Sequence, residues 1–244
     1  MSESTARSGT RLNIFRPAAQ ATYDRIFGVV YVGLMANVQF ALATAPLLGA
    51  LAVVRDPLAS WPFFAVLSCL CAPALAGVFG CFTALDEDGS PVVLRPFWAA
   101  YRRAAGRVLA VWALGAGLVG VLVADAVALA RTAWGPALVP LFLTLAVLVS
   151  ATVISVITVL AAPRAAGDTR LRRLLWPCLV LTTRRWFLAV ANVALLGLAA
   201  TVVLLQPLVG LLVACAPLLY VVWANTRYAV SPLHDADQPE DSHV

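Results

Sequence analysis

The sequence predicts an all-α protein, a polytopic transmembrane helical bundle of six spans with short amphipathic helices between them. Hydrophobic residues make up 62% of the 244 positions and charged residues 12%, whereas a soluble domain has roughly 25% charged residues. The apolar residues form six runs, each near or above the ~20 residues that cross a bilayer. The runs are 26–54, 61–85, 108–130, 135–162, 187–205 and 208–224. The first run is so long that it must tilt strongly, bend near Pro46 or end early.

All seventeen basic residues are arginine, and their distribution predicts an orientation. The seven polar segments around the runs hold four, one, four, one, six, none and one arginine in chain order. Because cytoplasmic loops carry an excess of arginine, this alternation predicts a multi-pass plasma-membrane protein with both termini in the cytoplasm. We therefore predict a cytoplasmic N-terminal segment at 1–25, a membrane domain at 26–226 and a disordered, acidic cytoplasmic tail at 227–244.

Three stretches with arginine and aromatic residues lead into the first, third and fifth runs. The stretches are 15–28, 97–108 and 176–187. Their last arginines, Arg25, Arg107 and Arg185, are 82 and 78 residues apart. This spacing favours three related helical hairpins, although any six-span chain with cytoplasmic ends has a similar rhythm.

Two predicted cytoplasmic segments, 86–107 and 163–186, place apolar residues and arginines at helical spacing. The pattern predicts amphipathic helices that lie along the lipid headgroups. Since the arginines adjoin span ends, anionic lipid is a better partner for them than nucleic acid. Anchoring in lipid is the simpler interpretation, and docking of a protein partner is the alternative. The candidate contacts are Arg102, Arg103, Arg107, Arg172, Arg173, Arg184 and Arg185.

Polar residues inside the runs are the candidate intramembrane contacts. With a rise of ~1.5 Å per residue, Asn37 and Gln39 lie about 18 to 21 Å beyond the nearest arginine, where an amide requires a partner. Asn192 belongs to the same class. Hydrogen bonding between helices is the simpler role for these amides, and substrate contact is the alternative. Asp125 lies about 27 Å beyond Arg107, near the external interface, which favours a structural role over a proton relay.

Small residues repeat every four positions in the third run, at Ala116, Gly120, Ala124 and Ala128, with Gly117 beside them. Small side chains let a second helix backbone approach closely. We expect that helix to belong to the same chain, and a second copy of the chain is the alternative.

The residue types present exclude several kinds of chemistry. Lysine is absent, which excludes a phosphate-binding P-loop and a lysine Schiff base. His234 and His243 are the only histidines and lie in the C-terminal tail. The five cysteines include no C-x-x-C pair, so we expect buried thiols and no zinc site or disulfide framework. The acidic run 86–88 has the spacing of a solvated turn and not of a calcium loop. We predict no catalytic residue, cofactor or metal site.

Four stretches resemble the YesL-like family of bacterial integral membrane proteins. They are GLMANVQFALATAP at 33–46, CAPALAGVFGCFTAL at 71–85 with the DEDG turn after it, FWAAYRRAAGRVLAVWAL at 97–114, and TTRRWFLAVANVALL at 182–196. The resemblance covers most of 12–228. It implies a plasma-membrane protein whose relatives are often encoded beside sugar-uptake ABC systems and carbohydrate-degrading enzymes, and it brings no catalytic residues.

The sequence therefore favours a non-enzymatic accessory or assembly partner of a carbohydrate ABC uptake system. The alternative is a small transporter or permease subunit, favoured by Asn37 and Gln39 at depth and by Pro73 and Pro217 near mid-span. Against this alternative, the chain lacks the glutamate-alanine-alanine coupling loop of importer permeases. A membrane enzyme would need an acid and a base that the apolar runs do not supply.

Overall fold

A computed structural model describes residues 15–54, 59–89, 91–163, 171–206 and 210–235 of the chain. The secondary structure in these ranges is helical. In chain order the helices are α1 (Phe15–Ala43), α2 (Ala45–Val53), α3 (Trp61–Leu67), α4 (Cys71–Asp88), α5 (Leu94–Leu129), α6 (Gly135–Ala161), α7 (Leu171–Arg184), α8 (Trp186–Leu205) and α9 (Cys215–Asp235). A 3₁₀ turn at Ser68–Leu70 joins α3 to α4, and a π-helical turn at Gly210–Ala214 precedes α9.

Four helical segments in the described ranges are long and apolar enough to cross a membrane. They are Pro62–Asp88, Leu94–Leu129, Gly135–Ala161 and Trp186–Leu205. The pair α1 and α2 provides a fifth if the two helices form one broken span, since they meet at a bend of 66°. The chain is therefore an all-helical, multi-pass membrane protein.

The bend in the first span lies at Thr44, between α1 and α2. Pro46 occupies the first turn of α2, where proline fits a helix start but cannot continue the preceding helix. The bend excludes a straight, strongly tilted first helix and is compatible with the other two possibilities, a bent span or a span that ends early with α2 along the outer surface.

The core is formed where α5 packs against α4 and α6. The small residues of α4 allow this close approach. A Cβ atom placed on Gly77 would lie 2.7 Å from the ring of Phe97, and one on Gly80 would lie 2.5 Å from Cβ of Ala100. Phe97 is 0% exposed. The helix crossing therefore depends on glycine at these two positions of α4.

This crossing corrects the prediction of a separate amphipathic helix in segment 86–107. Its apolar residues Phe97, Ala100 and Ala104 are buried in the core, and they belong to the first third of the unbroken helix α5. Burial against α4 and α6 replaces the expected contact with headgroups. In segment 163–186, by contrast, α7 is a distinct short helix with one buried and one exposed side.

No part of the chain that the structure describes packs closely on the small-residue stripe of the third run. A Cβ atom on Gly117 or Gly120 would meet nothing within 4 Å among the described atoms, and Ala116, Ala124 and Ala128 are exposed. The expectation of packing inside the chain is therefore wrong. The physical reason is that α6 crosses α5 on a different face, at Gly115, where an added Cβ would touch Val153.

The last helix extends beyond the predicted membrane domain. Helix α9 ends at Asp235, so nine residues of the segment 227–244 that was predicted to be disordered are helical. Residues 1–14 of the predicted N-terminal segment and 236–244 of the tail lie outside the described residues.

Candidate functional site

The interhelical hydrogen bonds and ion pairs of α9 among the described residues lie in one short segment, Trp223–Tyr228, which we call the α9 polar segment. Trp223, Thr226 and Arg227 share one face of the helix because they are three and four positions apart. The indole Nε1 of Trp223 donates to Oγ1 of Thr83 on α4 at 3.3 Å. The Thr83 hydroxyl in turn donates to the backbone carbonyl of Phe79 at 2.9 Å. The segment therefore fixes α9 to α4 through a buried polar contact.

Arg227 forms ion pairs with the acidic end of α4. Its Nη1 lies 2.7 Å from Oδ2 of Asp86 and its Nη2 lies 3.7 Å from Oε1 of Glu87. The guanidinium also lies 5.3 Å from the centre of the Trp223 ring. Carboxylates are unfavourable at a helix C-terminus, where the macrodipole is negative, so an arginine at this place offsets both charges. The acidic run predicted to be a solvated turn is thus the last turn of α4, and it is tied to α9.

Asn192 on α8 meets the same segment from the other side. Its Nδ2 donates to Oγ1 of Thr226 at 3.0 Å, and its Oδ1 accepts from Nδ2 of Asn225 at 3.2 Å. The Thr226 hydroxyl donates to the carbonyl of Val222 at 2.7 Å. Asn192 is 5% exposed and Thr226 is 0% exposed. The amide therefore forms the interhelical hydrogen bonds that a buried polar group requires.

Asn37 and Gln39 do not form a pair. Two positions along a helix correspond to opposite faces, and Gln39 Oε1 accepts from Nε1 of Trp98 on α5 at 3.2 Å. Asn37 is 2% exposed and lines a cavity of about 390 Å³ between α1 and α9. Gln39 thus connects α1 to α5, and Asn37 contributes to a cavity.

The cavity at Asn37 adjoins a second one of about 410 Å³ that is lined by Asp86 and Gly89. Both are lined by Phe82 and Tyr220, whose rings meet edge to face with centroids 5.3 Å apart. The two cavities therefore lie next to each other, one beside Asn37 of α1 and the other beside the acidic end of α4.

Two of the predicted arginines bind backbone carbonyls of other helices. Arg103 Nη2 donates to the carbonyl of Ala161, the last residue of α6, at 2.8 Å, where a cation is favoured by the macrodipole. Arg185 lies at the break between α7 and α8, and its Nη1 donates to the carbonyl of Tyr228 at 2.7 Å. Its guanidinium lies 4.4 Å from the centre of the Tyr228 ring. We call the end of the bundle that carries Arg103, Arg185 and Arg227 the basic end.

The remaining predicted residues lie apart from these contacts. Arg102 and Arg184 are exposed on α5 and at the end of α7, and Arg107 is half-buried on α5. Asp125 is exposed one turn before the end of α5, at the opposite end of the bundle. Arg172 and Arg173 belong to α7, but their side chains lie outside the described residues.

Three cysteines lie in the protein interior, where Cys81 Sγ donates to the backbone carbonyl of Val93 at 3.4 Å. Cys81, Cys178 and Cys215 are buried. Burial raises the pKa of the Cys178 thiol to about 11, so this thiol stays protonated near pH 7 and is a poor nucleophile or metal ligand. Among the described residues, no three histidine, cysteine or acidic side chains form a group that could hold a metal ion.

Sequence reasoning missed the α9 polar segment. Thr83 and Trp223 are 140 residues apart, and no local sequence pattern predicts a hydrogen bond between them. The available signal was the cluster WANTRY itself, since polar and aromatic residues are concentrated there at the end of an apolar run.

Comparison of the chain with protein-family models, with curated proteins and with solved structures finds no match in any of the three. What the arrangement can do therefore follows from its own residues. The polar groups of α9 join α4, α8 and the junction of α7 with α8. They connect these helices at the basic end, while Trp176 and Val180 on the outer side of α7 are exposed among the described residues.

Proposed function

We propose that the chain is a six-span plasma-membrane protein that acts without catalysis, as an accessory or assembly partner of a carbohydrate ABC uptake system. The proposed sixth span consists of the π-helical turn and α9, and the packing of α9 along α8 supports this part of the proposal. The arginine distribution supports a cytoplasmic basic end. The resemblance to the YesL-like family supports the carbohydrate uptake system.

The observation that supports an accessory role best is the contrast between the membrane interior and α7. Inside the bundle, Gln39, Asn192 and Trp223 are engaged in helix contacts. On α7, Trp176 is 71% exposed and Val180 is 47% exposed. An exposed aromatic and aliphatic surface at the basic end is the kind of surface that a partner subunit covers.

Affinity purification of the tagged protein from native membranes in mild detergent, followed by mass spectrometry, tests this proposal. We expect ABC permease, ATPase or solute-binding subunits above an untagged control. Trp176→Ala should reduce their recovery several-fold, since exposed tryptophans often dominate interface energy. Trp134→Ala is the matched control, because Trp134 is also 71% exposed but lies in the turn between α5 and α6, away from the basic end. Recovery of the protein alone, or an equal loss in both variants, contradicts the proposal.

The cavities at Asn37 and Asp86 favour a second candidate, a small transporter. Transporter sites lie near the bilayer midplane and use polar groups beside interrupted helices. Asn37 lies in the span that bends at Thr44, and Pro217 lines the same cavity. Uptake of labelled sugars by the purified protein in liposomes tests this. Asn37→Leu should abolish uptake. Gln39→Leu should not, because Gln39 does not line the cavity. If liposomes with the protein take up no more sugar than empty liposomes, transport of the sugars tested is excluded.

A further inference from the structure

A lateral groove of about 550 Å³ lies between α5, α6 and α7. Val111 and Leu118 form its α5 wall, and Leu175 and Leu179 of α7 cover it. Helices α5 and α6 are both membrane-spanning by length and composition, so the groove lies beside hydrocarbon.

The residues that line the groove favour an apolar ligand. Thr152 contributes the hydroxyl of the lining, and its Oγ1 donates to the carbonyl of Leu148 in its own helix at 2.8 Å. That hydrogen bond needs no ligand. A hydrocarbon chain can therefore fill the groove without leaving a polar group unsatisfied.

Two arginines of α5 lie beyond one end of the groove, which we call its entrance. Arg103, Arg107, Val111 and Gly115 are four positions apart and so lie along one stripe of α5. Val111 and Gly115 line the groove, which places Arg107 one turn beyond its end. Arg103, one turn further, is held on the C-terminus of α6. The groove thus runs from an apolar interior toward two guanidinium groups.

Trp176 marks the level of this entrance. It lines the groove and is 71% exposed. An indole prefers the boundary between hydrocarbon and headgroups, since it combines an apolar ring with a polar N–H. The arginines and Trp176 therefore lie where a phospholipid changes from acyl chain to phosphate.

We propose that this groove is a binding site for one anionic phospholipid, with an acyl chain along Val111 and Leu118 and the phosphate beside Arg107. The site goes beyond the accessory role and needs only that the chain is embedded in a membrane. Charge complementarity favours lipid over a second copy of the chain. A second copy related by an axis along the membrane normal would bring its own arginines to the same level, where like charges repel.

Native mass spectrometry of the purified full chain in detergent tests the site. Dioleoylphosphatidylglycerol and dioleoylphosphatidylcholine are titrated separately, and bound lipids per protein are counted. We expect the first bound lipid to be phosphatidylglycerol, with about fivefold tighter binding than phosphatidylcholine, because an arginine near the membrane surface attracts an anionic lipid.

Two pairs of variants distinguish binding of the lipid acyl chain from recognition of the lipid headgroup. Val149→Trp fills the groove, which Val149 lines, and should weaken binding of both lipids by about fivefold or more. Val121→Trp is the control, since Val121 is 58% exposed on α5 outside the groove. Arg107→Gln should remove the preference for phosphatidylglycerol and leave phosphatidylcholine unchanged. Arg131→Gln, at the other end of α5, should keep the preference.

The proposal is overturned if both tryptophan variants bind lipid equally, or if both glutamine variants lose the preference equally. A dimer that appears in place of bound lipid and is lost in Val149→Trp would assign the groove to a second copy instead. Arg107→Gln changes no core residue, so it tests the site even if Val149→Trp is recovered poorly. Since the purified chain is used alone, the result does not depend on any ABC subunit.

Discussion

Helices α4 and α5 each carry two glycines three residues apart, yet the two pairs have opposite surroundings. Gly77 and Gly80 of α4 lie against α5 so closely that an added Cβ would come within 2.7 and 2.5 Å of it. Gly117 and Gly120 of α5 have open space around them among the described atoms. Glycine spacing therefore shows where a second helix can pack closely. Whether a second helix does so depends on the arrangement of the other helices.

The largest expected effect comes from adding side chains to the two pairs. Gly80→Val should lower the free energy of unfolding by about 1 to 3 kcal/mol, because Ala100 is buried and cannot move away. Gly120→Val should change it by less than about 0.5 kcal/mol. Reversible unfolding in mixed detergent micelles measures both values. Equal effects of the two substitutions would show that α5 does not cross α4 at Gly80.

A polar version of the same contrast lies on α8. Asn192→Leu removes the buried partner of Thr226 and Asn225, and should destabilise the protein by about 0.6 to 2 kcal/mol. Thr201→Val is the control, since Thr201 is exposed and its hydroxyl donates to Gly197 within its own helix. The same unfolding measurement applies. A neutral Asn192→Leu would mean that this hydrogen bond contributes nothing beyond packing.

The smallest effect is expected for the charged pair. Arg227 and Asp86 have side chains that are 35% and 44% exposed, so solvent screens their attraction. A double-mutant cycle with Arg227→Gln and Asp86→Asn should give a coupling of about 0.2 to 1 kcal/mol that decreases with added salt. The corresponding cycle of Arg131→Gln with Asp86→Asn should give none, as the two lie at opposite ends of the bundle. A coupling that is zero in both cycles would contradict the ion pair.

The helices were largely predictable because each follows a long apolar run. Length and hydropathy indicated α4, α5, α6 and α8, and the bend at Thr44 was one of the possibilities that the first run allowed. The extra length of α5 was missed because 94–107 is polar enough to suggest a helix in the headgroups. Burial of Phe97 depends on Gly77 of α4, which lies 20 residues earlier.

The candidate site was less predictable because its partners come from distant parts of the chain. Depth counting identified Asn37, Gln39 and Asn192 as buried or half-buried polar residues, but it could not assign their partners. Arg227 and Asp86 are 141 positions apart, and they meet because the end of α4 lies at the level of the α9 polar segment. The sequence predicts how deep a residue lies along its own helix. The residue that it contacts on another helix depends on how the helices are arranged around it.

Helix α5 has 36 residues without a break, which corresponds to a length of about 54 Å. The hydrocarbon layer of a bilayer is about 30 Å thick. Pro96, in the first turn, is the only proline of α5. No proline bend therefore separates the arginine-bearing part of α5 from its apolar part. The helix is therefore about 24 Å longer than the hydrocarbon layer is thick. Its arginine-bearing first third and the apolar part that ends at Leu129 form one continuous element, so a tilt of one part tilts the other.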